Sequence, residues 1–151
     1  MPNLAKQVRV LEGVRPDKIP FDELFEANEP VILRGLVSDW DLVKEGKISP
    51  DRAMEALQSK SSGKPVGVFI ANPETNARFF YNEQCTGFNH QSKQLELSEV
   101  FSQIRDSKDD PERSYYYMNS LTLDQCFPGL REHNDLVFDH EVFANNQPIS
   151  K

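Results

Sequence analysis

The sequence is poor in cysteine, in long apolar runs and in familiar catalytic signatures. Its two cysteines, Cys85 and Cys126, cannot build a disulfide framework and show no CxxC spacing. Each is expected to act as a small buried hydrophobe with a free thiol. No stretch approaches the roughly 20 apolar residues that span a bilayer. Met1 to Lys18 mixes charged with apolar residues and lacks the apolar core of a signal peptide. There is no Asn-x-Ser/Thr sequon, no internal repeat and no low-complexity tract. These absences lead to the expectation of a reducing, cytoplasmic setting. Gly-rich phosphate loops, a Gly-x-Ser-x-Gly elbow and a Walker pattern are missing as well. Basic residues are outnumbered, 17 Lys and Arg against 24 Asp and Glu, for a net charge of −7. Phosphate neutralisation needs a basic face, so this balance argues against a general nucleic-acid or anionic-membrane binder.

What is present suits one domain over residues 1–151. Hydrophobic residues make up 38% and charged residues 27%. A chain of this size buries about 68–70% of the surface its unfolded form exposes. Val8 and Val10 alternate with Gln7, Arg9 and Leu11 and suggest a short strand. Phe21, Leu24 and Phe25 share a helical face that Asn28 and Pro30 would end. Val31-Ile32-Leu33 reads as a strand covered on both sides, closed by Arg34-Gly35. Ser49 can cap a helix with Pro50 in its first position and Asp51 at the positive end of the dipole. Ala53, Met54 and Leu57 then recur at helical spacing.

Val66 to Ala71 is apolar and β-prone. Asn72-Pro73 turns the chain, and Phe79-Phe80-Tyr81 reads as the partner strand of a hairpin. Gln84 to Gln94 reads as a polar surface loop. Ser98 is placed as the cap of a helix carrying Val100, Phe101 and Ile104 inward. Arg105 to Arg113 reads as a solvated loop, Tyr115 to Met118 as a strand, and Leu121 to Leu130 as a helical turn broken at Pro128-Gly129. From His133 onward the sequence is irregular and polar. The fold class is α+β, with too few strands to close a barrel.

Chemistry-bearing residues are sparse. His133-Asn134-Asp135 spells His-x-Asp, a spacing that on a strand places two ligands of an iron(II) facial triad on one face. The third ligand would have to be His140, in an acidic segment without strand character, so His133 and Asp135 read as loop residues. Asp139-His140-Glu141 lacks the partners and spacing of a zinc site. His90 reads as a solvated side chain. In the Tyr115–Met118 strand, Tyr115 and Tyr117 share one face and Tyr116 and Met118 the other. Packing is their expected role, although a buried phenol seeks a hydrogen-bond partner. Residue pattern alone names no reaction.

A resemblance extends the reading. Pro30-Val31-Ile32-Leu33-Arg34-Gly35, followed by Asp39-Trp40, resembles the opening strand of the cupin-like, JmjC-related Fe(II)/2-oxoglutarate dioxygenases. That group includes the asparaginyl hydroxylase that inhibits hypoxia-inducible factor. Ser49 to Leu57, Val66 to Tyr81, Leu97 to Ile104, Tyr115 to Met118 and Phe127-Pro128-Gly129-Leu130 follow in the family's order. The resemblance implies the N-terminal helices and strands of a double-stranded β-helix whose barrel is incomplete within this chain. It implies Fe(II) and 2-oxoglutarate as cofactors of the complete domain, with neither expected on this chain alone. His133 and Asp135 fall before the family's metal strand, so no metal ligand is carried over. One cosubstrate contact is: Tyr116, from the order Tyr-x-x-x-x-Leu ending at Leu121. A slip of one residue would reverse its face.

The expected function is therefore the N-terminal part of a hydroxylase- or demethylase-type oxygenase whose His-x-Asp and distant His lie past Lys151. The alternative is a non-catalytic interaction or dimerisation module on the same scaffold, and the third reading is a cupin-related small-ligand binder. Expected partners are a protein substrate for the complete enzyme and a second copy of the chain, because the wall of an unfinished barrel would expose apolar surface.

Overall fold

The computed structural model describes residues 7–118 and 120–136. Strand β1 (Arg9–Glu12) pairs in parallel with β2 (Val31–Arg34), Arg9 opposite Val31 and Glu12 opposite Arg34. Between them lies helix α1 (Phe21–Ala27), ended by Asn28 in the left-handed conformation at φ 44°. Asn tolerates that region, and Pro30 two residues on prevents the helix from resuming. An ion pair between Arg9 and Glu23 ties α1 to β1.

The expected double cover of β2 is not found. Val10 and Ile32 are register partners, and both are exposed, at 42% and 45%. The described sheet here has two strands only. The apolar run therefore reflects the strand's composition and not burial on both faces.

Helix α2 (Asp41–Ile48) has no counterpart in the sequence reading. It runs almost directly into α3 (Pro50–Ser59), with Ser49 ending one helix and starting the other. Ser49 is extended, as a residue before proline must be. Its Oγ accepts the Arg52 amide at 3.1 Å, so the expected cap, with Pro50 behind it, is present.

A three-stranded antiparallel sheet has the order β4-β3-β5, formed by β3 (Val66–Ala71), β4 (His90–Leu95) and β5 (Tyr115–Met118). The partner of β3 is thus not Phe79–Tyr81, where only a single bridge joins Tyr81 to Phe88. It is the polar segment expected to be a loop. An edge strand needs apolar side chains at few positions, and in β4 only Leu95 reaches the core. Because β4 and β5 both run antiparallel to β3, they are parallel to each other, and helix α4 (Leu97–Ser107) is the crossover between them. Helix α4 begins one residue before Ser98, which caps nothing; Glu96 precedes the helix without a side-chain cap.

The core lies on one face of this sheet. Val66 and Val68 of β3, Leu97, Val100 and Phe101 of α4, and Phe127 and Leu130 of the last segment are buried together. Met54 and Leu57 of α3 and Tyr116 and Met118 of β5 pack against them. Short helix α5 (Leu123–Cys126) and a 3₁₀ turn (Leu130–His133) close this layer. The result is an α+β arrangement whose described strands do not close a barrel. Among the described residues no helix is long and apolar enough to cross a membrane.

Candidate functional site

The tyrosine strand divides its side chains as alternation demands. Tyr116 stands opposite Ile70 on the helix-covered face and packs against the core. Its phenol donates to Gln103 Oε1 of α4 at 3.2 Å, the partner that a half-buried hydroxyl requires. Tyr116 also lines a polar cleft at the end of the sheet, together with Asn72, Gln91, Lys93 and Ser114. The lining of that cleft also includes His90, and it contains Lys93 but no carboxylate.

Tyr117 stands opposite Phe69 on the other face and is 48% exposed. Its ring lies 5.4 Å from Phe79 and 6.3 Å from Phe69. His90 completes this group. Its imidazole sits 4.6, 5.5 and 5.1 Å from the rings of Phe69, Phe79 and Phe88. The histidine read as solvated is thus half-buried among aromatic rings. Those rings come from β3 and from both arms of the 78–90 loop, a grouping that local sequence cannot display.

That loop is held by its own side chains. Asn89 Oδ1 accepts the Phe80 amide and Asn89 Nδ2 donates to the Arg78 carbonyl, each at 2.8 Å. Asn82 Oδ1 accepts the Thr86 amide at 3.0 Å, and the Asn82 amide donates to the Gly87 carbonyl at 2.8 Å. Phe80, Tyr81 and Phe88 project from it, 66%, 52% and 62% exposed. Cys85 lies at its tip, exposed and at φ 53°, contrary to the expected burial, because the tight turn faces it outward. Cys126 is half-buried against the core.

The His-x-Asp segment is not on a strand. His133 ends the 3₁₀ turn and is exposed at a shallow cleft bordered by Asp41, Lys44, Glu45 and Lys60. Asp135 is held by Arg131, with contacts of 2.8 Å to Nε and 2.5 Å to Nη2. The Asp135 hydrogen bond and charge, with Asp124 adding to them, raise the Arg131 guanidinium above its already high ordinary pKa. Between the two, Asn134 bridges elements. Its Oδ1 accepts the Leu42 amide of α2 at 2.9 Å, and its Nδ2 donates to the Leu130 carbonyl at 2.8 Å. The segment fastens helix α2 to the end of the described chain. Among the described residues no three His, Cys, Asp or Glu side chains converge to hold a metal ion. The Asp139-His140-Glu141 group lies outside the described residues.

Comparison with known proteins gives one positive result. The model of a family described as a cupin-like domain matches residues 16–151. No curated protein and no solved structure matches.

Proposed function

Since the chain belongs to the family of cupin-like domains, we propose that it forms the N-terminal part of an Fe(II)/2-oxoglutarate-dependent oxygenase of the hydroxylase or demethylase type, built on a double-stranded β-helix. The observation that carries this reading is the position of Tyr116. It borders a cleft whose lining holds Lys93, the His90 imidazole, and amide and hydroxyl groups beside Ile70 and Phe88, but no carboxylate. Such a lining suits an organic anion. A carboxylate in the cleft would compete with Gln103 for the phenolic proton, and a charge-assisted hydrogen bond is the stronger of the two. Tyr116 is accordingly the proposed cosubstrate contact.

The described residues do not fit an iron centre. Asp135 is engaged by a guanidinium, and among the described residues His133 belongs to no group of three acid, imidazole or thiol side chains that could hold a metal ion. When bound, iron would activate O₂ against 2-oxoglutarate. In this reading its ligands are not among the described residues, and this portion supplies a wall and an anchoring phenol. The test is 2-oxoglutarate turnover. The product of the complete gene should release succinate only with Fe(II), and the 151-residue chain should release none. Absence of turnover in the complete product overturns the proposal. Succinate release by the 151-residue chain that disappears in His133→Ala overturns the exclusion of His133 and Asp135.

A second reading, a non-catalytic module that self-associates, draws on a different observation. Val10 and Ile32 lie side by side and exposed on a parallel pair of strands, a type of sheet normally covered on both faces. Light scattering should then report a dimer that Val10→Lys dissociates. A monomer at all concentrations removes this reading.

A further inference from the structure

We draw no further inference here: the strongest candidate, the exposed aromatic ridge of Phe80, Tyr81 and Phe88 on the asparagine-clasped 78–90 loop, is an unpartnered apolar surface, and nothing in the structure shows what covers it.

Discussion

Replacing Asn134 with alanine removes two half-buried hydrogen bonds, one of which joins residues 92 positions apart. The first satisfies the Leu42 amide in the opening turn of α2, a helix whose preceding residue, Trp40, provides no side-chain cap. Losing a cap of this kind costs about 1 kcal/mol. The second adds a hydrogen bond to the Leu130 carbonyl of the 3₁₀ turn, and losing it costs about 1 kcal/mol more. The sum, about 2 kcal/mol, is a large share of the roughly 5–15 kcal/mol that stabilises a domain. At this chain length it corresponds to a melting temperature lowered by roughly 4–8 °C. Thermal unfolding followed by circular dichroism measures the global effect. Amide hydrogen exchange measures the local one, because the Leu42 amide should exchange faster in Asn134→Ala while the β3 amides follow only the global loss. A melting temperature within 1 °C of the parent, or an unchanged Leu42 exchange rate, refutes the capping argument.

Three further outcomes are expected. Val100 is fully buried between α4 and β3, so Val100→Ala should cost about 2 kcal/mol in denaturant unfolding through lost burial and a residual cavity; a loss under about 0.5 kcal/mol would show that this core is loosely packed. Ala77 sits at φ 58°, a region that penalises β-branched side chains, so Ala77→Val should destabilise by more than about 1 kcal/mol while Ala77→Gly costs nothing measurable; equal effects of the two would contradict the assigned backbone. Asp17 is held below its ordinary pKa of 3.8 chiefly by the hydrogen bond from Arg15. Its small contribution is present above that value and is lost as pH falls through the lower folded value. Asp17→Asn should therefore lower the melting temperature slightly at neutral pH, with the difference closing in strong acid; a gap that widens on acidification has the wrong sign.

The elements legible from sequence are those whose own residues carry the period of their structure, including β1, α1 and β2, none of whose residues joins the core cluster. β3, α3, α4 and β5 carry apolar side chains at the period of their structure, and the structure finds them where the pattern puts them. The two missed elements depend on distant partners. No residue of α2 is buried, and its first turn is secured by Asn134 from the far end of the described chain. The β4 segment is polar because it is an edge, and its strand character comes from pairing with β3 across six positions. A cap at Ser98 sets the helix start two residues late, since Glu96 holds the cap position and Ser98, a good cap by type, stands inside the first turn. Around the candidate site, Tyr116 and Met118 share a face as alternation requires, but which face meets the core, and the link of Tyr116 to Gln103, have no sequence signal. The surroundings of His90 have no sequence signal for the same reason, its ring neighbours being up to 21 positions away along the chain.

The central position of β3 has a consequence for how a nascent chain matures. As residues emerge from the ribosome, β3 can zip to β4 once Leu95 is out, but its other edge must wait until Met118 has been made. In that interval the backbone of Val68 to Ala71 offers a bare edge to any passing strand. Helix α4 emerges before β5 and can settle on Val66 and Val68 first, shielding side chains while the edge stays open. Slow elongation between Leu95 and Met118 would thus prolong the interval in which this edge is open to mispairing.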